Sequence, residues 1–153
     1  ARVNDLLREE GPLGSFFLRE SQCKNIIFLA TGTGVAPIKA ILESVIESSF
    51  HFREKKIWLF EGVRFKNDLL YNPTKNNDKI HINYIPVLSR QVNSWNGENG
   101  YVQDAVLKQN INLENSQVYA CGSNEMIKSA KKKLIKNSLK ENSFFSDAFI
   151  QSN

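Results

Sequence analysis

An unbroken apolar run, Ile26–Ala30, leads into Thr31-Gly32-Thr33-Gly34-Val35-Ala36-Pro37, and an apolar stripe follows at Ile38, Ile41, Leu42, Val45 and Ile46. A short run without polar alternation suits a strand covered on both faces, and the stripe has the spacing of a helix. Glycines let the connecting backbone turn sharply and approach a ligand closely. Pro37 suits the first turn of the helix, where its missing N–H costs nothing. The free N–H groups and the positive end of the helix dipole would face the turn, so a pyrophosphate is the natural guest of Gly32–Pro37. The hydroxyls of Thr31 and Thr33 can donate further hydrogen bonds. The turn is not a P-loop, because no Gly-Lys-Ser/Thr follows, and Pro37 stands where the usual dinucleotide fingerprint has its third glycine. By itself it leaves open a tight strand–helix turn with no ligand.

Four further runs read as strands: Ile57–Glu61, Ile82–Leu88, Gln117–Cys121 and Phe144–Ile150. Between them fall a short helix near Asp68–Tyr71, halted before Pro73, a helix over Val102–Lys108, and a long helix with the stripe Met126, Ile127, Ala130, Leu134 and Leu139 behind an N-cap at Ser123. Ser15–Leu18 also has the character of a strand. This alternation predicts an α/β fold: a doubly wound parallel sheet of five strands, order 3-2-1-4-5, with helices on both faces. In such sheets ligands bind beyond the carboxyl ends of the strands, where the strand order reverses. The reversal would lie between the first and fourth strands. Gly32–Pro37 and Cys121-Gly122-Ser123 would then face each other across one crevice.

Composition removes several alternatives. With 153 residues, 41% apolar and 24% charged, the chain can build one ordinary globular domain. Ile26–Ala30 is far too short to span a bilayer, and no secretory segment opens the chain, which begins at Ala1 and reads as a piece of a longer polypeptide. The two cysteines, Cys23 and Cys121, form no CxxC pair, and His51 and His81 have no metal-ligand spacing. A metal or iron–sulfur site in this chain is therefore not expected, and a reducing, cytoplasmic setting is. Net charge is +4, with Lys128, Lys131, Lys132, Lys133, Lys136 and Lys140 clustered in one helical stretch. That cluster reads first as a solvated face and second as an attraction for an acidic electron-transfer partner; nothing supports nucleic-acid binding.

The series GTGVAP, EGVR (Glu61–Arg64), VLSR (Val87–Arg90), NGENGYVQD (Asn96–Asp104) and CGSNEM (Cys121–Met126) resembles the nicotinamide-binding half of the ferredoxin–NADP⁺ reductase superfamily. EGPLGSFFLRE and FFSDAFIQSN are similar to a narrower group, the iron–sulfur flavoprotein reductases that serve the CDP-6-deoxy-hexulose 3-dehydrase of deoxysugar synthesis. The resemblance covers nearly the whole chain. It implies that a reduced nicotinamide passes hydride to FAD, and that the flavin releases single electrons to an iron–sulfur centre. By the same resemblance Gly32, Thr33 and Gly34 hold pyrophosphate and ribose, Gly62 and Arg64 lie on the adenosine side, and Ser89 and Arg90 contact the adenosine ribose or its 2′-phosphate. Cys121 and Gly122 border the nicotinamide, with the Cys121 sulfur near the reacting carbon. Phe149 lies close to the flavin, and Asp147 sets local polarity there. Hydride transfer is the cofactors' chemistry, so the protein positions two rings and excludes water.

Bland readings accompany these roles. Cys121 also suits a buried core position, Arg90 a strand end and Phe149 sheet core. Trp95 and Tyr101 read as packing residues, and Glu61 as structural, since it lies too far from Gly32 to serve as a fingerprint acid. The Arg-x-Tyr-Ser strand that binds FAD in the superfamily does not occur here. The resemblance therefore divides the chain into residues 1–22, the remnant or linker of an upstream FAD-binding barrel, and residues 23–153, the NAD(P)H-binding domain. The partners expected are that FAD domain, an iron–sulfur domain or protein, and a sugar dehydrase. The chain alone is expected to bind nicotinamide weakly, to carry no FAD and to be inactive. Arg90 could pair with a 2′-phosphate, whereas the narrower resemblance favours NADH over NADPH. Two other readings stay open: an S-adenosylmethionine-dependent methyltransferase, disfavoured because Ala30 and Thr31 stand where an acid usually precedes the turn, and a non-catalytic nucleotide-binding or docking module.

Overall fold

The computed structural model describes residues 16–75, 77–90 and 94–148. The strands are β1 (Asn25–Thr31), β2 (Lys56–Val63), β3 (Ile82–Leu88), β4 (Glu98–Asn99), β5 (Ser116–Gly122) and β6 (Phe144–Ala148). The α-helices are α1 (Val35–Glu47), α2 (Ser49–Phe52), α3 (Val102–Lys108) and α4 (Asn124–Lys136). All strand pairs are parallel, in the order β4-β3-β2-β1-β5-β6.

The expected sheet of five strands is thus corrected to six. The addition is β4, which pairs only Glu98 and Asn99 with Val87 and Leu88 at the edge; two residues are too few to show a period in sequence. The order still reverses beside β1, which has β2 on one side and β5 on the other. Two further expectations shift. A 3₁₀ turn over Lys66–Asp68 replaces the helix near Asp68–Tyr71, and the described part of Ser15–Leu18, Phe16–Leu18, forms no strand.

Alternation across β1 and β5 divides the interior in two. Phe28, Ala30, Tyr119 and Cys121 face the α1 side and pack with Val35, Ile38, Leu42 and Val45. Ile27, Leu29, Val118 and Ala120 face the opposite side and pack with Val102 and Val106 of α3 and Met126, Ile127, Ala130 and Leu134 of α4. A strand covered on both faces has no solvent side to keep polar, which is why β1 reads as an unbroken apolar run. The stripe of the last helix continues past its end. Asn137 caps α4, Ser138 adopts a left-handed φ of 87°, and the Leu139 N–H donates to the Leu134 carbonyl at 3.0 Å. This Schellman-type closure folds Leu139, 2% exposed, back under the helix.

Phe16 and Leu18 lie in the α1-side core. The Arg19 guanidinium sits 4.4 Å from the centre of the Phe17 ring and 4.2 Å from that of Phe145 on β6, and the Arg19 backbone N–H donates to the buried Tyr119 hydroxyl at 2.9 Å. Residues 16–19 are thereby fastened to the β5–β6 edge. On the opposite face of the sheet, Lys128, Lys131, Lys132 and Lys136 of α4 are exposed, while Lys133 pairs with Asp104 of α3 at 2.8 Å.

Candidate functional site

The chain leaves β1 at Thr31, turns through a 3₁₀ segment at Gly32–Gly34 and enters α1 at Val35. Gly32 has a φ of 55°, a conformation costly to any residue with a Cβ, and a Cβ built there would meet nothing within 4 Å. The N-terminus of α1 carries no side-chain cap and no acid in its first turn. The start of α4 differs, because Ser123 caps it by accepting from the Met126 N–H at 3.2 Å. One helix start is thus capped by a side chain, whereas the other, behind an open glycine turn, has no side chain over it and leaves room there for an anion.

The two glycines of this turn have different tasks. A Cβ on Gly34 would lie 2.0 Å from the Cys121 carbonyl oxygen and 2.5 Å from its carbon. Gly34 is buried and lets the turn press onto the end of β5, so its place is packing and it does not line the cleft. That contact holds Gly122 and Ser123 beside Thr31–Thr33.

A cleft of about 780 Å³ opens along the carboxyl ends of the strands. Of the residues singled out from sequence, Thr31, Gly32, Thr33, Gly62, Arg64, Ser89, Arg90, Gly122 and Ser123 all line it. Loop pairing beyond the sheet gathers the β2–β3 side, where the Ser89 N–H donates to the Val63 carbonyl at 2.9 Å and the Arg90 N–H to the Arg64 carbonyl at 3.0 Å. Arg64 and Arg90 are exposed there, and neither takes part in an ion pair among the described residues. Ala36 and Pro37 sit on the first turn of α1 outside the cleft.

Cys121 and Asp147 also lie outside its lining. They are neighbours in register across β5 and β6. Strand alternation turns Cys121 into the α1-side core, where it is fully buried. Burial pushes its thiol up from 9.0 to about 12, and the Asp147 carboxylate adds to the effect. At neutral pH Cys121 is a thiol, a small apolar group rather than a nucleophile. Phe149 lies outside the described residues.

Tyr119 behaves like Cys121, its phenol raised by burial from 10.0 to about 12. The unfolded chain releases both protons at lower pH than the folded chain does, so the stability these two groups contribute is fully present below pH 9.0 and is lost as pH rises towards about 12. Calorimetry should show one melting temperature from about pH 7 to pH 9 and a progressive decline above it. A melting temperature that holds steady to about pH 11 would show that both groups ionise freely in the folded chain.

Sequence reasoning missed part of the lining. Tyr101, expected to pack, is 62% exposed and lines the cleft. Gly100, with a φ of 105°, turns the chain just before it, and that glycine inside NGENGYVQD was the available signal. Gln103 and Ser129 also line the cleft, joined by a 3.0 Å hydrogen bond from Gln103 Nε2. The buried Gln103 Oε1 has no partner. Val63, Asp68 and Leu70 complete the β2 side.

Comparison with known proteins gives a consistent picture. The family described as oxidoreductase NAD-binding domain matches residues 28–132. Protein RfbI of Salmonella typhimurium is 40% identical over 154 residues, covering 98% of this chain and 45% of that protein. The CDP-6-deoxy-L-threo-D-glycero-4-hexulose-3-dehydrase reductase of Yersinia pestis is 40% identical over 152 residues, covering 99% of this chain and 45% of that protein. The chain thus spans less than half the length of these relatives. The Amycolatopsis cytochrome P450 reductase GcoB shares the fold, with a TM-score of 0.76 at 22% identity over 91% of this chain and 42% of that one.

Proposed function

The chain belongs to the oxidoreductase NAD-binding domain family, and from that premise we propose that it holds the reduced nicotinamide dinucleotide of a longer, FAD-dependent reductase. The observation that carries the reading is the uncapped N-terminus of α1 behind Gly32, at the point where the strand order reverses. There the backbone N–H groups and the Thr31 and Thr33 hydroxyls would bind the pyrophosphate. Arg64, Ser89 and Arg90, with the exposed faces of Tyr101 and Leu70, would take the adenosine. Gly122 and Ser123 lie on the other side of the turn and would border the nicotinamide, backed by Cys121, whose burial keeps charge away from the ring. Asp147 on β6 would set the polarity near the flavin, and Phe149 would lie close to its ring. When bound, the nicotinamide supplies the hydride and an FAD on an upstream domain accepts it. This chain's residues orient the ring and keep water from it. They need no general acid or base.

The longer protein would pass electrons singly to an iron–sulfur centre and serve a CDP-hexulose dehydrase in the cytoplasm. The support is the 40% identity to relatives named for that dehydrase. The same likeness favours NADH, whereas the exposed Arg64 and Arg90 would accommodate NADPH. Titrations of the chain with NADH, NADPH and S-adenosylmethionine, followed by NMR, should shift Gly32–Thr33 and Gly122–Ser123 with the nicotinamide dinucleotides alone. Shifts with S-adenosylmethionine alone would overturn the reading. If Arg90 reads a 2′-phosphate, Arg90→Ala should weaken NADPH by about 10-fold and barely affect NADH; equal losses would remove that role.

A further inference from the structure

We propose that Glu61 is a positioning residue, latching the Lys66–Leu70 loop over the adenosine end of the cleft and so setting affinity for that half of the dinucleotide without touching it. The inference rests on the reading that the cleft binds a nicotinamide dinucleotide. Glu61 lies near the end of β2 and is 1% exposed. A carboxylate withdrawn from water must have its oxygens satisfied by the protein, and here each oxygen has its own donor. The Tyr84 hydroxyl donates to Oε1 at 2.7 Å, and the Leu70 backbone N–H donates to Oε2 at 2.8 Å.

The two donors belong to different kinds of structure. Tyr84 lies within β3, which is locked in register to β2. Burial raises its phenol, and the bond to Glu61 raises it further, so it remains a donor at neutral pH. Leu70 belongs to a loop that is closed on itself. The Phe65 N–H donates to Asp68 Oδ2 at 3.1 Å, the Asp68 N–H to the Phe65 carbonyl at 2.9 Å and the Leu69 N–H to the Lys66 carbonyl at 3.2 Å. Glu61 therefore joins a small self-contained loop to the rigid sheet. Through that bond the sheet holds out Asp68 and Leu70, which line the cleft beside Arg64. Leu70 is 66% exposed, so burial of its own side chain does little to hold it there. This loop follows β2, on the far side of the Gly32 turn from Gly122 and Ser123, so its effect falls on one half of an extended dinucleotide.

The test uses the chain with ADP-ribose and nicotinamide mononucleotide as separate probes of the two halves, and NADH as the whole. Glu61→Ala should weaken ADP-ribose and NADH by about 10-fold, and Tyr84→Phe by about 3-fold, with nicotinamide mononucleotide unchanged for both. Glu61→Gln should recover much of the loss, because its carbonyl can accept from Leu70 while its amide donates to Tyr84. Tyr84→Phe removes a single hydroxyl and keeps the ring, so it carries the test if Glu61→Ala does not fold. Unchanged ADP-ribose affinity would overturn the proposal, as would equal losses for both probes. If the unaltered chain binds none of the three ligands, the nicotinamide reading falls, and the latch falls with it.

Discussion

Replacing Gly34 with alanine is expected to destabilise the chain by about 3 kcal/mol or more, the upper range for overpacking a well-filled site. The added Cβ would stand 2.0 Å from the Cys121 carbonyl oxygen, and the obstacle is backbone, which no rotamer change can clear. Either the turn must lift from β5 or the β1–β5 ladder must open at its carboxyl end. For a chain of this length the loss corresponds to a fall in melting temperature of roughly 6–12 °C, measurable by calorimetry or circular dichroism. A fall of less than about 2 °C would mean that turn and strand separate easily, and that the pressing of Gly34 onto β5 is not what holds the two walls of the cleft together.

The second large effect is on binding. Gly32→Val should cost only about 1–2 kcal/mol of stability, from forcing a left-handed conformation on a residue with a Cβ. Its side chain would occupy the open space in front of the uncapped α1 N-terminus. NADH affinity should fall by about 100-fold or more, equivalent to about 2.7 kcal/mol. The contrast is what matters: two positions apart, one glycine governs stability and the other governs ligand. An NADH dissociation constant unaltered in Gly32→Val, measured by titration well below the melting temperature, would remove the pyrophosphate from this turn.

How far each feature was legible in sequence follows from how local its cause is. The long strands were legible because burial on both faces leaves unbroken apolar runs, and β3 carries the predicted bounds. Helix α4 was legible down to its cap, since Ser123 and the apolar stripe are local signals. Its end was not: Leu139 continues the stripe but belongs to a closure made through Ser138, a residue that gives little warning of a positive φ. Strand β4 was hidden by its length. In the site, most of the residues the sequence pointed to line the cleft, but it could not separate Gly32 from Gly34. Both fit the same short motif, and what distinguishes them is the backbone of β5, far away in sequence. Cys121 shows the same limit, because its direction depends on strand alternation relative to a helix packed from elsewhere. Glu61 was visible as an acid at a strand end, but its two partners come from a loop and from the neighbouring strand.

The all-parallel order of the sheet also has a consequence in time. No pair of its strands is a hairpin closed by a tight turn: even consecutive strands pair in parallel across a long connection, so loop closure must come before reward. The two walls of the cleft are remote from each other: Lys24, just before β1, bonds Asn115, just before β5, across 91 residues. On a ribosome adding roughly 5–20 residues per second, the glycine turn would emerge on the order of ten seconds before the strand that covers it. Until then β1 is a bare apolar segment with an unpaired edge, open to mispairing. The arrangement that builds a nucleotide cleft at the centre of the sheet thus leaves that cleft open until β5 arrives, long after its glycine turn.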